Sequence, residues 1–256
     1  MIGSAVTRSN WNSLLSIILI VTHCHYAFSL ALPGGGNKQD LVIQVCQNKD
    51  CCKRFEGTEN LVRTLNHLVP PSHNNDIKIE SVGCLSKCGD GPNVQVNNQL
   101  YNDVRHVQSA AAILETACPD LKVPPTLIAA SNVMERTHKA ASSEEKEKCL
   151  NSVINALSKN EDLNTSKAMA HAYAVRAQVH FDNNNIAQAK EDASQAATMN
   201  PSHPFVWRLL ADTEETMGNT LEAMEALTRW VENNPEFYRK VQKEKERLSE
   251  KMKSQP

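Results

Sequence analysis

The chain of 256 residues is 41% hydrophobic, 22% charged and only 5% aromatic, a composition that suits one or two folded domains and excludes disorder throughout. Its formal net charge is -2, from 27 Lys and Arg against 29 Asp and Glu, so the bulk basicity that non-specific nucleic-acid binding needs is missing and no nucleic-acid partner is expected. Of the eight cysteines, Cys46, Cys51, Cys52, Cys84 and Cys88 crowd into one region, which points to a site and not to a general disulfide framework.

Residues 1–36 read as a targeting segment and linker. Arg8 supplies a positive flank, Leu14 to Val21 is a short apolar run, and small residues follow at Ala27, Ser29 and Ala31, the pattern of a secretory signal peptide. The run is shorter than the roughly 20 apolar residues of a bilayer span, so no permanent membrane span is expected. Cys24 is expected to leave with the peptide. The junction Tyr26-Ala27-Phe28-Ser29 resembles the Ala-Phe cleavage site of bipartite plastid presequences. That resemblance implies a plastid reached through the endoplasmic reticulum; plain secretion is the alternative.

After Gly34-Gly35-Gly36, Leu41 to Val45 is rich in β-branched residues and reads as a strand ending at Cys46. Glu56 to Val69 places Leu61, Val62, Leu65 and Leu68 at helical spacing, and Pro70-Pro71 stops it. A second strand, Ile77 to Val82, leads through Gly83 into Cys84. Val94 to Val96, Asn97-Asn98 and Leu100-Tyr101 form a hairpin, and Val104 to Ala117 a second amphipathic helix. The order β-α-β-β-α is the outline of a thioredoxin-like layer. Four residues separate Cys46 from Cys51, and three separate Cys84 from Cys88. Both pairs leave the carboxyl ends of neighbouring strands, so four thiolates can converge as a metal centre requires. A two-iron cluster takes four cysteines. Zinc and disulfides are the competing readings; thiol exchange would want C-x-x-C, which is absent from this region.

The stretches VCQNKDCCKRF and VGCLSKCGDGPNVQVN closely resemble the thioredoxin-like [2Fe-2S] ferredoxins, a family that includes a subunit of respiratory complex I. The resemblance covers roughly residues 40 to 118. It implies a [2Fe-2S] cofactor with Cys46, Cys51, Cys84 and Cys88 as cluster and metal ligands, and a role in electron transfer or redox sensing. Cys52 departs from the family pattern; spacing favours Cys51 as the ligand and leaves Cys52 a packed or spare thiol. Glycine at 89 and 91 lets backbone N–H groups approach cluster sulfides. Cluster assembly belongs to plastid, mitochondrion or cytosol, so a plastid destination reconciles such a ferredoxin with the signal peptide.

Pro119 to Pro125 (PDLKVPP) reads as the domain joint, within a linker at 119–129. Beyond it Pro201 and Pro235 lie 34 positions apart, and so do Tyr173 and Trp207, Ala177 and Ala211, and Ala189 and Ala223. That is the period of the tetratricopeptide repeat. Residues 170–203 and 204–237 resemble two such units, a degenerate first unit falls at about 130–165, and Glu236 to Lys253 reads as a charged capping helix. The expected fold is thus an α/β thioredoxin-like ferredoxin domain at 37–118 followed by an all-α helical-repeat domain at 130–253. The repeats imply a protein partner in their groove, with Arg176 and Glu214 as contact candidates and Tyr173 and Trp207 as packing residues. Cys118 and Cys149 read as core. His171, His180 and His203 read as isolated helix or turn residues. No nucleophile, phosphate-loop or paired-acid motif occurs, so an electron carrier or binding protein is expected and not an enzyme.

Overall fold

The structure, a computed structural model, describes residues 41–55 and 61–254. The targeting segment and the start of the first expected helix lie outside the described residues.

β1 (Leu41–Cys46) is an interior strand of a four-stranded sheet in the order β2-β1-β3-β4. β2 (Ile77–Val82) runs parallel to it, pairing Leu41 with Ile77 and Cys46 with Val82. β3 (Val94–Val96) runs antiparallel on its other side, and β4 (Gln99–Tyr101) completes the hairpin. Asn97 and Asn98 both take positive φ, as a two-residue hairpin turn requires. A single turn of helix, α1 (Lys49–Cys52), follows β1. The described part of the next helix is α2 (Leu61–Leu68), with Leu61, Leu65 and Leu68 buried on one face. α3 starts at Val107 and ends at Ala117, three residues later than the periodicity predicts, because Ser109 and His106 close a reciprocal cap there. Ile43, Val45, Leu65, Val94 and Leu114 meet between sheet and helices.

The linker expected at 119–129 is not a linker. Leu121 and Val123 are buried, and α4 (Pro125–Lys139) begins inside the segment. Pro125 occupies the first helical position, where its missing N–H costs nothing and its fixed φ suits the turn. The same prolines that forbid a continuing helix thus start a new one. Leu121, Val123 and Leu127 join one apolar core that runs from the sheet into the following helices.

α4 pairs with α5 (Ser143–Ser158), α6 (Lys167–Asp182) with α7 (Ile186–Met199), and α8 (Val206–Thr216) with α9 (Thr220–Asn233). The first residues of α7 and α9 stand 34 apart, as do their last, so the repeat seen in sequence is a repeat of helix pairs. Ala177, Ala189, Ala211 and Ala223 are all buried, which lets the paired helices approach closely. α10 (Tyr238–Ser254) covers the open end with Val241 and Leu248. Among the described residues no helix is long and apolar enough to cross a membrane.

Candidate metal centre

The parallel pairing of β1 and β2 decides where the cysteines emerge. Cys46 ends β1 opposite Val82, which ends β2, and Cys84 follows two residues on. The N–H of Gln47 donates to the Val82 carbonyl at 2.9 Å, closing the strand ends together. Asn48 then caps α1 by accepting the N–H of Asp50 at 3.0 Å. The turn it starts sends Cys51 inward, where the residue is fully buried.

Cys51 packs against the loop that carries the second pair. Its Sγ accepts the N–H of Asn93 at 3.2 Å. A Cβ on Gly91 would stand 2.4 Å from that Sγ and 3.1 Å from the Cys51 Cα, so only glycine permits this approach. Gly89 differs: a Cβ there would meet nothing within 4 Å, and its carbonyl accepts from the Arg54 guanidinium. Gly91 thus clears room for the Cys51 side chain, a different task from the N–H approach to cluster sulfides expected of both glycines.

Asn93, buried, ties the two loops. Its carbonyl accepts the N–H of Cys46 at 3.1 Å, and its side-chain amide donates to the carbonyls of Ser86 and Lys87 at 2.9 and 3.0 Å. Ser86 and Lys87 both hold positive φ, a conformation that non-glycine residues keep only when their surroundings hold them. The sequence motif contains Asn93, but pattern reasoning assigned it no task.

Cys52 points elsewhere. Its thiol donates to the Cys46 carbonyl at 3.3 Å, and burial, then the nearby Cys46 sulfur, push its pKa up. Cys84 is exposed, and Cys88 opens a 3-10 turn at Cys88–Asp90, with its side chain outside the described residues. Among the described residues no three His, Cys, Asp or Glu side chains group as a metal ion would need. The donor set nevertheless fits an iron-sulfur group: sulfur ligands at two adjacent strand ends, a backbone N–H directed at one Sγ, and a glycine clearing its approach.

A family model, that of the thioredoxin-like [2Fe-2S] ferredoxins, matches residues 35–117. The match covers about a third of the chain, and it is these residues, 35–117, that correspond to a domain of that family. No curated protein matches the chain. Among solved structures it is similar to the first TPR of Spaghetti (RPAP3) bound to the HSP90 peptide SRMEEVD, at 19% identity and a TM-score of 0.42 over 49% of this chain and 96% of that one. It is similar also to a thermophilic TPR protein of Thermus thermophilus, at 15% identity and a TM-score of 0.34 over 56% of this chain and 71% of that one.

In the helical repeats the two expected contact residues are taken up by bonds between helices. Arg176 grips Asp192 through two nitrogens, each at 2.7 Å, and donates to Asn151 at 2.6 Å. Glu214 is buried, paired with Lys190 at 2.8 Å and accepting from Asn219 at 2.8 Å. Both bridge helices, because a charge on the inner face of a closely packed pair must find its partner on the next helix. The side chains left open beside the cavity of about 260 Å³ at Tyr173 are Gln188, Glu191 and Gln195. Trp207 donates to the Pro201 carbonyl at 2.7 Å, a structural bond, as its packing role predicts.

The histidines also need correcting. His171 Nδ1 lies 3.0 Å from His203 Nε2, and the rings of His67 and His171 lie with centroids 4.7 Å apart. All three are buried where α2 of the ferredoxin domain meets the repeats. Sequence spacing could not show this, since the partners lie 104 and 32 positions from His171 and belong to different elements. His180 approaches Asp192 at 3.6 Å.

Proposed function

We propose that the ferredoxin domain holds a [2Fe-2S] cluster on Cys46, Cys51, Cys84 and Cys88, and that the protein transfers electrons or senses redox state while its repeats dock a protein partner. The observation that carries the reading is the Cys51 sulfur, buried against Gly91 and Asn93 of the loop that bears the second cysteine pair, in a domain that matches the ferredoxin family. A two-iron cluster supplies one-electron exchange when bound. Around it Asn93 holds the two ligand loops together and presents its N–H to the Cys51 sulfur. Gly91 keeps that approach open. Cys52, whose thiol donates to the Cys46 carbonyl, stays outside the ligand set.

Anaerobic purification followed by visible and paramagnetic-resonance spectra tests this. Red-brown protein with a reducible one-electron signal is expected. Serine at Cys46, Cys51, Cys84 or Cys88 should bleach it, and Cys52→Ser should not. Colourless protein with stoichiometric zinc would overturn the cluster.

The extent of the helical part, from Pro125 to Ser254, favours a second reading: an assembly or scaffold factor, in the plastid, whose cluster or zinc is structural. A cluster that cannot be reduced without decomposing would decide for it. Plastid delivery through the secretory route belongs to both readings. Fusion of residues 1–40 to a fluorescent protein tests it, with extracellular signal the contrary result. For docking, Glu191 and Gln195 replace Arg176 and Glu214 as the residues to alter, since they are exposed and hold no helix in place.

A further inference from the structure

The turn between α5 and α6 carries Asn164-Thr165-Ser166, the one place in the sequence where an asparagine stands two residues before a serine or threonine without a proline between them. At Asn200-Pro201-Ser202 the central proline bars the same pattern. In a chain that enters the endoplasmic reticulum the proline-free triplet is the acceptor pattern for an N-linked glycan. The folded structure decides whether such a group has room.

Leu163 and Ser166 are fully buried, while Asn164 and Thr165 between them are exposed. The backbone is pinned on both sides of the exposed pair. The Leu163 N–H donates to the Asn160 carbonyl at 2.9 Å, and the Ser166 N–H donates to the Leu163 carbonyl at 3.0 Å. The side-chain amide of Asn164 makes no hydrogen bond among the described residues. A bulky polar group on that amide therefore displaces no core residue and breaks no bond.

The turn also lies clear of the cysteine loops. Thr165 shares a cavity of about 560 Å³ with Pro70, Pro71 and His73, which lead into the amino end of β2. Cys46 and Cys84 leave the carboxyl ends of β1 and β2. The six residues of β2 separate those two ends by roughly 20 Å. Sugar attached at the turn leaves the cysteine site open to a partner.

We infer that Asn164 is an N-glycan acceptor. Transfer requires the secretory entry proposed for this chain, and the site rests on that reading. The donor is an oligosaccharide carried on a lipid pyrophosphate. Asn164 Nδ2 bonds to the anomeric carbon of its first sugar, and the bond from that carbon to the pyrophosphate oxygen breaks. The lipid pyrophosphate leaves with the electron pair, and the transferase takes one amide proton. The acceptor pattern includes the Ser166 hydroxyl. In the folded chain that hydroxyl is buried and accepts the Met169 N–H at 3.2 Å, as the cap of α6. Transfer thus precedes closure of the turn, and the chain then folds with the sugar outside.

Cell-free translation of the full precursor with glycosylation-competent microsomes tests this, beside a second precursor in which an unrelated cleaved secretory signal replaces residues 1–36. Protease protection reads entry, and a mobility shift removed by N-glycosidase reads transfer, so the two steps are scored apart. Protected chain should migrate one glycan slower, and peptide mapping after N-glycosidase should find the amide of Asn164 converted to a carboxyl group. Asn164→Gln should abolish the shift; Ser166→Thr, which keeps the hydroxyl and the cap, and Asn200→Gln should retain it. Protected but unshifted chain overturns the inference and leaves the targeting proposal standing. Where the native leader gives no protection, the targeting proposal fails and the second precursor decides: its shift upholds the acceptor, and a protected chain without one overturns it. A shift that survives Asn164→Gln overturns it as well.

Discussion

The ferredoxin domain and the helical repeats both bury polar and reactive groups, and they do so by opposite means. Around Cys51 the backbone does the work: an N–H from Asn93, a bare Cα at Gly91 and two left-handed residues at Ser86 and Lys87 shape the loop. In the repeats the backbone is plain helix, and side chains from different helices neutralise one another, as Arg176 does with Asp192 and Lys190 with Glu214. A backbone-shaped site tolerates little change in residue type at fixed positions. A site shaped by side-chain pairs tolerates exchange of both partners and punishes loss of one.

Arg176→Met is the sharpest way to break that comparison. It leaves Asp192 and the nearby Asn151 without their donor, and about 3 kcal/mol of stability should be lost, because an uncompensated buried carboxylate remains. Urea unfolding measures it, and the double change Arg176→Met with Asp192→Leu should recover most of the loss. Leu121→Ala should cost about 2.5 kcal/mol through the cavity it creates. It also asks whether the two regions are separable at all. With a shared core, calorimetry should show both regions shifting together; one shifted and one unshifted transition would mean that the core is divided. Gly91→Ala should cost about 2 kcal/mol, since the new methyl overlaps the Cys51 sulfur, and it should empty the cysteine site of colour, whereas Gly89→Ala should be neutral.

The smallest effect belongs to α10. Arg247, with help from Lys251, holds the Glu215 carboxyl down at about 2 from its ordinary 4.5. A carboxylate depressed on folding contributes stability above its unfolded pKa and loses it as pH falls through the folded one. Glu215→Gln should therefore lower the urea midpoint at pH 7 and match the parent near pH 2. Solvent screening of this exposed cluster holds the difference below about 1 kcal/mol.

The β-α-β-β-α order, the Asn97-Asn98 turn and the 34-residue helix pairs were legible in the sequence because each rests on local chemistry: β-branched runs, a turn dipeptide, small residues at a fixed period. The prolines at the joint misled, since the same residue stops one helix and starts another, and only the burial of Leu121 and Val123 shows which task prevails. At the cysteine site the spacing identified the loops, but Asn93 acts through its backbone, which residue type does not reveal. The partners of Arg176 and Glu214, and the meeting of His67, His171 and His203, depend on how helices distant in sequence are stacked. Periodicity gives a residue's face, not its neighbour.

The unbroken core through Leu121, Val123 and Leu127 changes what a fused repeat array accomplishes. A loosely strung module raises the local concentration of whatever it captures but leaves the captured molecule free to tumble. Here the last segment before the helices is packed on both sides, so the array behaves as a fixed bracket. A macromolecule seated on the repeats would meet the cysteine loops from one direction and at one distance. Lengthening or softening the joint would then alter the angle of approach as well as the frequency of encounter.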